Sequence, residues 1–227
     1  IRDRWDGGEI VNKSLYLIFD LDGCLIDSSE VQKAAFFGSY KEVVGDDHCP
    51  SYEEYIKHTG DSVNGMLKKM GLPAAMAASF RRISSESVDK ILVNWEAMKL
   101  VRKLKKYGYK TALCTGKDHY RTVEILKYFQ CDDLFDVLIC GDDVPEPKPS
   151  AMPILKAMEA LGADPENTVM IGDGYNDIKS AKNAGVKSIL TLWYGDAGVP
   201  KVADYYSETV EEMWATFDEI ASFTANT

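Results

Sequence analysis

The sequence predicts a doubly wound α/β fold, a Rossmann-like parallel sheet core with a small α-helical cap inserted into it. Three observations carry that expectation. Short apolar runs at residues 15–19, 109–114, 137–140, 168–171 and 188–192 alternate with amphipathic stretches of helical length. Such alternation argues a parallel sheet covered by helices on both faces. Between about residues 45 and 94 the alternation stops and only short helical patterns appear. Finally, the residues able to do chemistry follow directly on predicted strands, at the edge where open α/β sheets bind ligands.

The first element is the run Leu15-Tyr16-Leu17-Ile18-Phe19, apolar at successive positions as a strand buried on both faces should be. It ends in Asp20, with Asp22 two residues on and Gly23 next. Alternation along a strand lets Asp20 and Asp22 face one site. Two close carboxylates repel unless a cation or a shared proton lies between them, which predicts a metal, a catalytic pair, or both. An Asp-x-Asp-Gly segment is also a common surface turn.

Ser28 and Ser29 can cap a helix over about residues 30–44, which Gly45-Asp46-Asp47 breaks. Helices follow over 52–58, over 62–70 with Gly71 and Pro73 as stops, and from 73 into the nineties. A helix over 95–107, stopped by Gly108, leads to the second strand, and one over 118–129 to the third. The Pro-broken loop 144–149 precedes a helix over 151–161 and the fourth strand. A helix ending near Gly185, the fifth strand and a closing helix over 210–223 complete the chain. The expected organisation is a catalytic core of residues 1–27 and 95–227 with a cap at 28–94; residues 1–14 read as a lead-in arm.

A hydrophobic fraction of 45% and a charged fraction of 27% are those of a soluble globular protein. Lys and Arg total 26 against 36 Asp and Glu, a net charge of -10, which disfavours nucleic acid and anionic membrane as partners. The basic run Arg102-Lys103-Leu104-Lys105-Lys106 reads as a solvated helix face. The five cysteines are odd in number and lack a Cys-x-x-Cys spacing, as expected for reduced thiols in a cytoplasmic protein. No run approaches a transmembrane helix and no signal-peptide core is present. His48, His58 and His119 lack a metal-like spacing and read as surface residues, and Asp142-Asp143 as an acidic turn.

Four strand ends gather the candidate chemistry: Asp20 and Asp22; Thr115-Gly116-Lys117; Lys148 between Pro147 and Pro149; and Gly172-Asp173-Gly174-Tyr175-Asn176-Asp177. Carboxylates, ammonium groups, a hydroxyl and glycines that expose N–H suit a hard divalent cation and a phosphoryl group. In this order and context the four segments resemble the haloacid dehalogenase superfamily, in its phosphoglycolate phosphatase-like branch. The likeness runs from Leu15 onward.

The resemblance implies a Mg2+-dependent phosphatase that hydrolyses a small phosphorylated metabolite, a phosphate monoester, through an aspartyl-phosphate. It implies Asp20 as nucleophile and Asp22 as general acid, then base. Mg2+ would be held by Asp20, the Asp22 backbone carbonyl, Asp173 and, directly or through water, Asp177. Thr115 and the N–H groups of Leu21 and Gly116 would bind the phosphoryl group, and Lys148 would offset its charge and orient Asp20. Lys117 touches substrate or faces solvent.

Plainer readings stand beside these: Thr115 as a helix cap, Lys148 as a solvated loop lysine, and Asp177 as a helix N-terminal charge. Cys24 stands where the family usually has threonine, with a structural effect on the loop or a sensitivity to oxidation as the two consequences. The loop Trp193-Tyr194-Gly195-Asp196, altered from the family's usual order, would border the substrate. Specificity is expected from the cap, in Thr59-Gly60-Asp61-Ser62, Lys68 and Arg81 or Arg82. Asp22 argues against a dehalogenase, which has no leaving oxygen to protonate. A sugar phosphomutase shares the catalytic set, and a non-catalytic binding protein on this scaffold would not need it. The assembly expected is a monomer or homodimer.

Overall fold

The structure is a computed structural model that describes residues 15–45, 47–58, 61–195 and 202–224. The lead-in arm, Thr59-Gly60 and Asp196 lie outside these residues.

Six parallel strands form one sheet in the order β5-β4-β1-β6-β7-β8. They are β1 (Tyr16–Phe19), β4 (Lys110–Cys114), β5 (Val137–Ile139), β6 (Thr168–Gly172), β7 (Lys187–Thr191) and β8 (Tyr205–Ser207). β1 lies inside the sheet, with Phe19 level with Leu113 of β4 on one side and Ile171 of β6 on the other. Its side chains alternate between two cores. Leu17 and Phe19 join the apolar residues of α5 (Trp95–Lys106), α6 (His119–Tyr128) and α9 (Met213–Thr224). Ile18 points the other way, toward α7 (Met152–Leu161) and α8 (Tyr175–Ala184). A strand apolar at every position is what two covered faces require.

A two-stranded antiparallel ribbon, β2 (Ile26–Asp27) with β3 (Leu92–Val93), ties the two ends of the helical segment together. Between them run α1 (Ser29–Val43), α2 (Tyr52–Ile56), α3 (Val63–Lys69) and α4 (Met76–Glu86). These helices bury an apolar cluster of their own, built around Phe36, Tyr55, Met66, Met76 and Phe80. Against the core, α4 meets α6: Arg81 pairs with Asp118 at 3.2 Å and Ser85 donates to Glu124 at 2.7 Å.

Three expectations are corrected. The sheet has a sixth strand, β8, three residues long at the edge beside β7. The segment 45–94 is not free of strand, because Leu92–Val93 pairs with Ile26–Asp27. The helix expected from 73 into the nineties ends at Glu86 and gives way to a 3-10 turn at Val88–Lys90. Strands of two or three residues are too short to show a period of two. The helix closes at Ser87, whose backbone N–H turns back to the carbonyls of Ser84 and Ser85. No helix among the described residues is long and apolar enough to cross a membrane.

Candidate active site

At the end of β1 the Asp20 N–H donates to Ile171 O at 2.8 Å, which fixes the residue between β1 and β6 as the chain leaves the sheet. Leu25 and Ile26 then fold back, both donating to Leu21 O. Gly23 adopts φ +74°, and a Cβ there would lie 1.9 Å from an Asp173 carboxylate oxygen. The turn therefore requires glycine twice over, for its backbone conformation and for the seat of Asp173.

Carboxylate oxygens of Asp20, Asp173 and Asp177 all lie within 4.8 Å of one another. Lys148 is 4% exposed and is the lysine that Asp20 and Asp177 share. Its Nζ lies 2.8 Å from Asp20 Oδ1 and donates to Asp177 Oδ1 at 2.5 Å and to Cys114 O at 3.0 Å. Lys148 is thus no solvated loop residue. Asp177 also has the helix N-terminal place read from the sequence, because its other oxygen accepts the Gly174 N–H at 3.0 Å in the first turn of α8.

One ammonium cannot neutralise three carboxylates packed this closely. Burial, with Asp177 and Asp22 nearby, pushes Asp20 up to about 7 in spite of Lys148. Burial with Asp177 and Asp20 pushes Asp173 up to about 8. For Lys148 burial favours the neutral amine, yet Asp177 and Asp20 outweigh it and hold the ammonium charged. The trio is short of positive charge, and an all-oxygen set of this kind fits a hard cation such as Mg2+.

Thr115 is 5% exposed at the end of β4 and its hydroxyl accepts the Lys117 N–H at 3.2 Å. The N–H groups of Leu21 and Gly116 find no acceptor among the described residues. Gly141, after β5, presses against this loop so closely that a Cβ would sit 2.2 Å from Gly116 O.

Asp22 lines the same cavity but stands outside the close group of three, its carboxylate held by partners of its own. Ser28 donates its hydroxyl to Oδ1, and Lys117 Nζ lies 3.1 Å from Oδ2. Burial works against the charge, but Lys117 and Ser28 hold the Asp22 carboxyl below the usual carboxylate range. Lys117, itself buried, therefore faces the site and not solvent. Behind Ser28 stands Gln32 of α1, which donates to the Ser28 hydroxyl at 2.8 Å and accepts from the Tyr55 hydroxyl of α2 at 2.9 Å.

The cavity above these groups measures about 790 Å³ and is walled on one side by Tyr55, Met66 and Phe80 of the helical segment. Arg121, in the first turn of α6, also lines it. Sequence reasoning missed Ser28, Gln32, Tyr55 and Arg121. For Arg121 a signal existed: a cation in a first turn opposes the helix dipole and calls for a reason.

The residues expected to set specificity fare differently. Asp61 lines the cavity and pairs with Lys69 at 2.8 Å, while Ser62 caps α3. Lys68 is exposed and outside the cavity wall. Arg81 is spent on Asp118, and Arg82 on Glu42 and Glu86. Trp193, Tyr194 and Gly195 do not line the cavity, and Trp193 donates to Ser207 at 3.4 Å. Cys24 is fully buried, and burial with the acidic trio raises its thiol well above the ordinary range, the reverse of a reactive thiolate. His119 is exposed and sits 3.1 Å from Asp143, whose neighbour Asp142 accepts the His119 N–H at 2.7 Å. The acidic turn is thus tied to the start of α6.

With this geometry in place, comparison with known proteins is informative. A family model described as haloacid dehalogenase-like hydrolase matches residues 17–191. The pyrophosphatase PpaX of Bacillus mycoides is 33% identical over 181 residues, 78% of this chain and 83% of that protein. CbbY from Rhodobacter sphaeroides, solved in complex with phosphate, superposes with a TM-score of 0.77 at 23% identity, covering 87% of this chain and 95% of that one. A predicted phosphoglycolate phosphatase from Haemophilus somnus gives 0.78 at 20% identity, covering 91% and 99%. The two structural likenesses show the fold.

Proposed function

Since the chain belongs to the haloacid dehalogenase-like hydrolases, we propose that it is a Mg2+-dependent phosphatase acting on a small phosphorylated metabolite through an aspartyl-phosphate on Asp20. The observation that carries this reading is the close trio of Asp20, Asp173 and Asp177, two of which, Asp20 and Asp177, share the Lys148 ammonium. Asp20, Asp173, the Asp22 backbone carbonyl and, directly or through water, Asp177 would hold the ion. Mg2+, when bound, supplies charge neutralisation to the phosphoryl oxygens and to the carboxylates around them.

An Asp20 carboxylate oxygen attacks phosphorus, and the bond to the leaving oxygen breaks. Lys148 holds Asp20 in place and offsets charge on the phosphoryl group. Thr115 and the N–H groups of Leu21 and Gly116 donate to the phosphoryl oxygens. Asp22, held ionised by Lys117 and Ser28, takes up a proton when the anionic substrate binds beside it, gives it to the leaving oxygen, then takes one from the water that hydrolyses the aspartyl-phosphate. Residues 28–94 act as the cap and 1–27 with 95–227 as the core, the cap excluding bulk water from the reacting groups.

A phosphate monoester is the first substrate reading. Pyrophosphate is the second, favoured by relatives that carry the name pyrophosphatase and by the Lys117 ammonium on the leaving-group side. Hydrolysis of p-nitrophenyl phosphate and of pyrophosphate with Mg2+ tests both. Asp20→Asn is expected to lower turnover by about 1,000-fold or more, since it removes the nucleophile. Undiminished turnover in that variant would sink the reading. A dependence on a sugar bisphosphate, with slow loss of the aspartyl-phosphate to water, would mark a phosphomutase instead.

A further inference from the structure

We propose that Arg121, with Lys117 beside it, is the specificity determinant of this pocket and takes a second anionic group on the leaving-group side of the substrate. The inference rests on the phosphatase reading and deepens it by naming the substrate class: compact phosphates that carry a second negative group.

Arg121 is 3% exposed and lines the cavity. Its backbone N–H donates to Asp118 Oδ1 at 3.1 Å. Among the described residues its guanidinium has neither a hydrogen bond nor a carboxylate within 4.0 Å. Asp118, the obvious candidate, gives its other oxygen to Arg81 at 3.2 Å. What the guanidinium does have is the face of Phe80, 5.6 Å from the ring centroid. A buried arginine remains charged, and with Asp118 and Asp22 acting on it only from beyond 4.0 Å its guanidinium is left without a direct carboxylate partner among the described residues, which opposes folding. Its position in the first turn of α6 adds the repulsion of the helix dipole. A buried guanidinium without a direct partner, set against the helix dipole in the wall of a catalytic cavity, is explained by an anion that binds there.

The geometry says where that anion sits. The transferred phosphoryl group lies where Asp20, Thr115 and Lys148 converge. Asp22, held by Lys117 at 3.1 Å, marks the side from which the leaving oxygen departs. Arg121 lies in the same wall, near enough that its charge acts on Asp22, Lys117 and Tyr55. Its planar fork can grip a phosphoryl or a carboxylate group through two parallel N–H bonds. Two ligands supply this chemistry, the second phosphoryl of pyrophosphate and the carboxylate of 2-phosphoglycolate. For pyrophosphate the second group is itself the leaving group. Asp20 forms the new bond to phosphorus, the bridging P–O bond breaks, and its electron pair stays on the phosphate that Arg121 and Lys117 hold.

The test compares kcat/KM for pyrophosphate, 2-phosphoglycolate and 2-glycerol phosphate, whose leaving group is neutral, in wild type, Arg121→Gln and Arg121→Lys. Arg121→Gln is expected to lower the ratio of a doubly anionic substrate to glycerol phosphate by about 10–100-fold, chiefly through KM, as for loss of a charge-assisted contact. Arg121→Lys should recover part of it. A ratio that falls for pyrophosphate alone identifies a phosphoryl group, and one that falls for phosphoglycolate alone a carboxylate. Equal losses on all three substrates, no loss on any, or a wild type that prefers the glycerol ester would each overturn the proposal. If Arg121→Gln does not fold, the same ratio in Arg121→Lys decides. A wild type inert on all three brings down the phosphatase reading and this inference with it.

Discussion

Asp22 is held at both oxygens, and each anchor has its own support. Lys117 comes from the loop after β4, while Ser28 is braced by Gln32, which in turn accepts from Tyr55 of the helical segment. A general acid contributes most when the leaving group is a poor one, because only then must the proton move with the breaking bond. Gln32→Leu removes the brace and leaves Asp22 itself in place. The expected result is a kcat about 10-fold lower on glycerol phosphate, the net worth of the bonds Gln32 gives to Ser28 and, at 3.5 Å, to Asp22 itself, and a smaller loss on p-nitrophenyl phosphate. Equal losses on the two esters would show that Gln32 only supports the fold. Asp20, Thr115, Lys148 and Asp173 were legible because each ends or follows a strand, a local property of the chain. Gln32 and Tyr55 were not, because their roles arise only when α1 and α2 converge on the cavity, and Arg121 was marked only by its place in a helix first turn.

Among the elements, β1 was readable from its unbroken apolar run, since burial on both faces erases any alternation. The helices of the insert were readable as helices, but their shared core was not, since Phe36, Tyr55 and Phe80 meet from three of them. Phe80 is nearly fully buried and also carries the Arg121 guanidinium on its ring face. Phe80→Ala leaves a cavity in that core and is expected to cost about 3–5 kcal/mol in urea unfolding. It should also raise KM for whichever substrate Arg121 binds, as the guanidinium loses its seat. A stability loss under about 1 kcal/mol would mean the insert repacks freely, contrary to a close-packed core. The ribbon of β2 and β3 escaped the sequence for the opposite reason: two residues per strand carry no period at all.

For the molecule as a whole, the acidic trio ties folding to pH and, on the function proposed above, to Mg2+. Asp20 at about 7 and Asp173 at about 8 hold protons in the folded state that an unfolded chain releases near the ordinary value of 3.8. Between roughly pH 4 and pH 8 the folded state therefore binds more protons, and this contribution to stability falls as pH rises through that window. Asp22 and Asp143, held below their ordinary values, have the opposite slope in the acid range, so a bare stability curve mixes the two. The difference made by Mg2+ separates them, because the ion binds the carboxylates without their protons. The thermal midpoint gained on adding a fixed Mg2+ concentration should be small near pH 5.5 and larger at pH 8. Each tenfold gain in affinity adds about 1.4 kcal/mol, which is about 3–5 °C for a chain of this size. Asp173→Asn removes one of the two proton-holding groups and should flatten the pH dependence of that gain, as scanning calorimetry would read it. A Mg2+ effect constant across pH, or greatest at pH 5.5, would mean that the ion does not bind at Asp20, Asp173 and Asp177.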